Sequence, residues 1–261
     1  MTQYETLIVE RIGRVERITL NRPDAAHGLN LTMARELATA ARRCDRDADV
    51  RAVLITATGR FFCAGGDLKE MEAHADDPGL FIKELADTLH RATSSFGRMD
   101  APVIVAVNGV AAGAGFSLAI GGELVLAAES SKFTSAYTKA GLSPDGSSSY
   151  MLPRLVGLRR AQELMLTNRV LSSGEALEWG LVTQVVPDDQ LADVALEAAT
   201  AIAAGSKGAQ AAVKQMLLAT YANGLEAQIE LEGRLIAACA ASSDGAEGRA
   251  AFIAKRAPKF D

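Results

Sequence analysis

Between Ala111 and Gly115 no residue carries more than a methyl group, and Phe116-Ser117-Leu118-Ala119-Ile120 follows in a helical pattern. A helix that starts this way presents bare backbone. Its first N–H groups have no partner within the helix and sit at the positive end of its dipole. Such a terminus can hold a phosphate or a developing oxyanion. Small residues here would equally let a strand and a helix approach closely, and the run alone leaves both readings open. One carboxylate stands in an unusual setting. Asp145 lies in GLSPDGSSSY (141–150), at the start of an expected helix. Asp after Pro and before Gly and Ser makes a good turn or N-cap residue. Cys63 has nothing nearby that would activate a thiol and reads as a small buried filler. Glu123 and Glu129 flank an expected strand and read as solvated or structural.

The elements that would position these groups follow from periodicity. Val103–Val107 is apolar throughout and β-branched at most positions, which predicts a strand buried on both faces, and Asn108-Gly109 is a turn signal. Before it, Leu7–Glu10 and Val15–Asn21 alternate around Ile12-Gly13 as a hairpin, broken by Asn21-Arg22-Pro23-Asp24. Met33, Leu37, Ala40, Ala41 and Cys44 mark one face of a helix over 31–47. Ala52–Thr56 reads as a second buried strand, 59–66 as a loop, and Asp67 as the cap of a short helix over 68–73. Phe81, Leu85, Leu89, Ala92 and Phe96 recur at helical spacing after a solvated break at 76–79. After the central stretch come strands at 124–127 and 132–134, a Gly/Ser/Pro-rich loop at 141–149, helices at 157–166 and 172–179, and a strand at 182–186. From Asp188 the pattern is helical, with breaks near Gly205, Gly224 and Gly245. Alternating β and α elements followed by helices predict a parallel α/β body and a helical tail that packs on a neighbouring subunit.

The chain has 261 residues, 49% hydrophobic, which is enough for a sizeable core. The net charge of −5 without a basic block argues against a nucleic-acid partner. Three scattered cysteines exclude a disulfide framework or a zinc site and fit a reducing, cytoplasmic setting. No apolar run has the length of a membrane span, and the start MTQYETLIVE has no basic region followed by an apolar one, so neither membrane nor signal peptide is expected.

Taken together, ITLNRP (18–23), FFCAGGDLKEM (61–71), APVIVAVNGVAAGAG (101–115), MLPRLVG (151–157), LSSGEALEWGLV (171–182) and FIAKRAPKF (252–260) resemble the crotonase, or enoyl-CoA hydratase/isomerase, superfamily over essentially the whole chain. The resemblance implies an α/β fold of the ClpP/crotonase-like type, a spiral of ββα units with a helical C-terminal part involved in trimerisation. It divides the chain into a core over 1–204, holding the CoA site and oxyanion hole, and an oligomerisation region over 205–261. It implies an acyl-CoA thioester substrate with CoA as part of it, no metal or other cofactor, and a homotrimer or a dimer of trimers. The backbone N–H groups of Gly66 and Ala114 would form the oxyanion hole. Ala25, Ala26, His27, Gly28 and the backbone at Ala64 would cradle the adenine. Lys69 would face phosphates or pantetheine, and Phe252 and Lys255 would reach the nucleotide of the adjacent subunit. Asp24 stands where members often carry a basic or polar residue.

The sequence departs from the family where hydratases carry two glutamates: Ser117 and Tyr137 stand there. Neither replaces a carboxylate as a base near neutral pH, Tyr having a pKa of about 10. Two branches of the superfamily instead have an Asp at position 145. One is the ring-epoxide isomerase of phenylacetyl-CoA breakdown, which AAGAG, GLSPDG and AFIAKRAPKF resemble. The other is 4-chlorobenzoyl-CoA dehalogenase, which GLRRAQELMLTNRVL and His90 resemble. The dehalogenase branch needs a Trp where Tyr137 stands, and His90 lies close to the Leu85–Leu89–Phe96 face as a pocket-lining histidine. The expected activity is therefore an enoyl-CoA or ring-epoxide-type isomerase. Asp145 is the single base, and His90, Tyr137, Ser117 and Leu142 shape the acyl pocket. A modified hydratase, a dehalogenase-like hydrolase and a non-catalytic acyl-CoA binder are the alternatives.

Overall fold

The computed structural model describes residues 4–260; residues 1–3, at the start read for a leader, and Asp261, the last of the expected oligomerisation region, lie outside it. β1 (Leu7–Ile12) and β2 (Val15–Leu20) form the expected hairpin, Leu7 opposite Leu20. α1 (Leu31–Arg46) begins at Asn30, whose side chain accepts the Met33 N–H at 2.8 Å. There follow β3 (Ala52–Ala57), β4 (Phe61–Cys63), α2 (Leu68–Glu72), α3 (Pro78–Arg98), β5 (Val103–Val107), β6 (Val110–Ala112), α4 (Ala114–Ala119), β7 (Leu124–Ala128) and β8 (Lys132–Thr134). The remainder comprises α5 (Ser148–Val156), α6 (Leu158–Thr167), β9 (Leu171–Ser172), α7 (Ser173–Glu178), β10 (Gln184–Val186), α8 (Leu191–Ala203), α9 (Lys207–Ala219), α10 (Leu225–Ala241) and α11 (Ser243–Ile253).

Successive strands are dealt alternately to two sheets. The larger has the order β1-β2-β3-β5-β7-β10, parallel beyond the hairpin. The smaller has the order β4-β6-β8-β9, antiparallel only at its last pair. Each of β3-β4, β5-β6 and β7-β8 therefore contributes one strand to each sheet before the chain turns into helix. This is the spiral of ββα turns of the crotonase fold. β5 is buried at every residue, as its composition requires. Val103, Val105 and Val107 face α1 and α3 in one core, while Ile104 and Ala106 face α8 in another. Ala195, Ala199 and Ala203 let α8 lie close on that second face.

Two short elements escape the periodicity reading. β4 lies within the expected loop at 59–66, and β6 occupies the first part of the small-residue run. Three residues are too few to show a period, and pairing with neighbouring strands defines both. The last helical break falls at Ser242 rather than Gly245. Ser242 caps α11 by accepting the Gly245 N–H, and a methyl on Gly245 would come to 2.0 Å from Cys239 O. That glycine marks a close approach of two helices, not the end of one.

Candidate active site

β4 and β6 are adjacent strands of the smaller sheet, and the backbone beyond each comes into contact. Gly65, at φ 108°, lies against the carbonyl of Ala112, and a methyl on Gly113 would stand 3.4 Å from Gly65 Cα. One step further along each chain are Gly66 and Ala114, and neither N–H donates to an acceptor among the described residues. Ala114 opens α4, so its N–H is free by geometry. Gly66 is flanked by committed groups: Leu29 N–H donates to Gly65 O at 2.7 Å and Asp67 N–H to Leu29 O at 2.9 Å. Two unused donors on touching backbone segments can together hold a developing oxyanion. A methyl on Gly115 would run into Cys63 at 2.2 Å, so the small-residue run does serve close packing as well. Burial pushes the Cys63 thiol up to about 11, and its Sγ donates to His27 O. That fits a buried filler.

Asp145 stands beside these donors through Ser117. Ser117 is fully buried on α4, and its Oγ lies 2.9 Å from Asp145 O, 2.9 Å from Tyr137 Oη and 3.3 Å from Gly113 O. Tyr137 Oη donates to Asp145 Oδ1 at 2.6 Å. Burial first, and then the charge of Asp145 and its hydrogen bond, push the Tyr137 hydroxyl far above the usual phenol range, so it stays a donor. The other oxygen, Oδ2, lies 3.7 Å from His90 Nε2. That nitrogen accepts the Gly146 N–H at 3.2 Å, which places the proton of a neutral ring on Nδ1. The N-cap reading of Asp145 does not hold. Ser147 precedes α5 without a side-chain cap, and it is the backbone carbonyl of Asp145 that accepts from Ser148 N and Oγ. The carboxylate, about 30% exposed, is left for other work. Leu142 is half-buried, and its N–H donates to Tyr137 O.

The loop at 25–28 is tied to the same region, because Ala64 N–H donates to Ala26 O at 3.0 Å. Ala25 is exposed and Ala26 half-buried, so these two present themselves outward. His27 does not: its ring is fully buried, accepting Arg22 N–H at Nδ1 and meeting Thr58 O at Nε2. Burial lowers its pKa. Gly28 is packed against Asp67. Lys69 is exposed on α2. Phe252, 85% exposed, and Lys255 stand outward at the end of α11. Two residues of this region were not singled out from the sequence. Met71 places its Cε over Gly66, and Arg22 joins Gly28 O to the Asp67 carboxylate. The partners of Arg22 lie up to 45 residues away, beyond any local pattern. Glu123 proves structural, bonded to Val103 N–H and Lys214. Among the described residues no group of three or more His, Cys, Asp or Glu is gathered as a metal site, and no helix is long and apolar enough to cross a membrane.

The sequence profile of the enoyl-CoA hydratase/isomerase family matches residues 10–261. The 1,2-epoxyphenylacetyl-CoA isomerase of Escherichia coli K12 is 40% identical over 250 residues, 94% of each chain. The trans-2-decenoyl-[acyl-carrier-protein] isomerase of Streptococcus mutans is 31% identical over 248 residues, also 94% of each. Among solved structures, an enoyl-CoA hydratase from Polaromonas sp. JS666 superposes with a TM-score of 0.94 at 31% identity, covering 98% of this chain and 99% of that one.

Proposed function

The chain belongs to the enoyl-CoA hydratase/isomerase family, and from that premise we propose that it is an acyl-CoA isomerase that moves a proton with a single carboxylate. One observation carries the reading. Ser117 and Tyr137, at the two positions where family hydratases carry glutamate, turn their hydroxyls onto Asp145. Hydration needs a group to activate water and a second carboxylate to hold it. A double-bond shift needs one base that takes a proton and returns it elsewhere.

In this reading the thioester oxygen sits between the Gly66 and Ala114 N–H groups. Asp145 Oδ2 removes a proton from a carbon conjugated to the carbonyl, and the C–H electron pair moves into the enolate. The two N–H groups take up the oxygen's charge, each worth about 10²–10³ in rate. Tyr137 keeps its hydrogen bond to Oδ1, which fixes Oδ2 as the reacting oxygen. Collapse of the enolate takes a proton back from the Asp145 carboxyl, which exchanges with solvent while it holds it, at a different carbon, so the product is an isomer and no water is consumed. Leu142, His90 and Tyr137 wall the acyl group. Ala25, Ala26, the backbone at Ala64, and Lys69 receive the CoA moiety, with Gly28 supporting the loop from behind, completed by Phe252 and Lys255 of an adjacent cytoplasmic trimer or hexamer subunit. His27 contributes behind the loop rather than on it.

The hydrolytic reading requires His90 as the base for water. Its Nε2 lone pair already accepts the Gly146 N–H, which argues for isomerisation. Incubation of the protein with a panel of unsaturated acyl-CoAs in D₂O, read by mass spectrometry, separates the readings. Deuterium uptake with no added water supports isomerisation; a hydrated or hydrolysed product overturns it.

A further inference from the structure

We propose that Arg22 is a positioning residue of the oxyanion arm, coupling the loop at 25–28 to the backbone that carries the Gly66 N–H. The inference rests on the reading of Gly66 as an oxyanion donor. Arg22 lies on the strand-to-loop turn that ends β2, outside every group assigned to binding or chemistry above. Its Nη1 donates to Gly28 O, its Nη2 donates to Asp67 Oδ2 at 2.8 Å, and its own N–H is taken by the buried His27 ring. The Arg22 side chain is 21% exposed and the Asp67 side chain 14%, so the pair is largely shielded from solvent.

Asp67 is the residue next to Gly66, and every other polar group it offers is also committed. Its N–H donates to Leu29 O, and its Oδ1 accepts Lys69 N–H and Glu70 N–H at the start of α2. Burial raises the Asp67 carboxyl, but the Arg22 bond, these N–H donors and the Arg22 charge outweigh it, leaving its pKa lowered. Gly65, on the other side of Gly66, is held by Leu29 N–H and by contact with Ala112 and Gly113. The Gly66 N–H is thus suspended between two anchors, and Arg22 is the side chain that ties the downstream anchor to the loop at 25–28. A forked guanidinium does this in one plane; Lys offers a single point charge and cannot span both acceptors in the same way. The position of that loop is thereby coupled through Gly28 O and Arg22 to the position of the Gly66 N–H, and misplacing a reacting group by about 1 Å costs as much as about 10²-fold.

The test uses the full-length protein with any acyl-CoA it isomerises, comparing Arg22→Gln, Arg22→Lys, Asp67→Asn and the Arg22→Gln/Asp67→Asn double variant. Asn at 67 keeps the helix cap. The expected result is a kcat between about 10- and 100-fold lower in Arg22→Gln, with KM changed far less. Arg22→Lys should recover part of the loss. The double variant should be no slower than the worse single one, and amide exchange should quicken in peptides covering 61–67. A folded Arg22→Gln protein with unchanged kcat, or singles whose losses multiply in the double, overturns the proposal. Where Arg22→Gln fails to fold, the Arg22→Lys kcat and the Asp67→Asn exchange decide it. If Asp145→Asn abolishes turnover while Arg22→Gln does not alter it, the coupling fails and the isomerase reading stands. If neither change alters turnover, the reading itself fails.

Discussion

Tyr137 Oη lies 2.6 Å from Asp145 Oδ1 and donates its proton to it. The bond joins a residue standing at a hydratase glutamate position to the carboxylate proposed as the base, and it ties the turn at 137–142 to the loop before α5. Removing the hydroxyl leaves Oδ1 without its donor. A hydrogen bond to a charged group is worth about 1.5–3 kcal/mol. Tyr137→Phe should therefore lower kcat by roughly 10- to 100-fold, with CoA affinity intact. Unchanged kcat in the folded variant would remove Tyr137 from the mechanism.

The same residue gives a pH prediction. The folded-state pKa of Tyr137 is raised, so its stabilising contribution is fully present below the ordinary phenol value of about 10 and is lost progressively as pH rises from there through the higher folded value. The difference in melting temperature between the protein and Tyr137→Phe should stay constant from neutral pH up to about 10. Above about 10 the gap should shrink, and a gap that holds unchanged from about pH 10 to 12 would mean that folding does not raise the pKa of this hydroxyl.

Ala114→Pro removes the N–H at the start of α4, where proline is tolerated as a first helical residue. The barrier should rise by roughly 3 kcal/mol. Circular dichroism must show the fold intact. Full turnover by such a folded variant would rule out the donor.

Much of this arrangement is legible in the sequence, and the rest is hidden for physical reasons. The β5 strand announces itself because burial on both faces demands an unbroken apolar run, and the bare start of α4 because no side chain stands between Ala111 and Gly115 beyond methyl groups. Asp145 is visible as a carboxylate in a turn, but which of its atoms does the capping is not, since carbonyl and carboxylate are equivalent on paper. In the structure it is the carbonyl that accepts from Ser148 N–H and Oγ, and the carboxylate caps nothing. The inward turn of His27 and the grip of Arg22 on Asp67 are closed by tertiary packing, between residues with no shared period. β4 and β6 need the neighbouring strands to exist at all.

Lys214 tests the joint between the helical tail and the body. It is buried on α9, with Nζ 3.0 Å from Phe96 O, 3.0 Å from Ala101 O and 3.2 Å from Glu123 Oε2. Lys214→Met should cost about 2–4 kcal/mol, because it strands a partly buried carboxylate and two carbonyls. Lys214→Met/Glu123→Gln should recover part of that cost in urea unfolding. A neutral single variant would show that the joint contributes nothing.

The tail beyond it turns apolar side chains outward: Leu225, Ile229 and Ile236 on α10, Phe252 and Ile253 on α11. Among its described residues α10 buries none within the chain. Sedimentation should find three or six chains per particle. An active monomer would contradict the assignment of Phe252 and Lys255 to a neighbour's nucleotide.

The central claim is that Asp145 is the single base, and the most direct measurement is solvent deuterium exchange into a processed acyl-CoA by Asp145→Asn. Asn is nearly isosteric and can still accept the Tyr137 hydroxyl, so melting temperature and CoA binding should hold. Turnover and deuterium incorporation should both fall by about 10² or more, the scale of general acid–base catalysis. Retention of both in the folded Asp145→Asn protein would contradict the single-carboxylate mechanism.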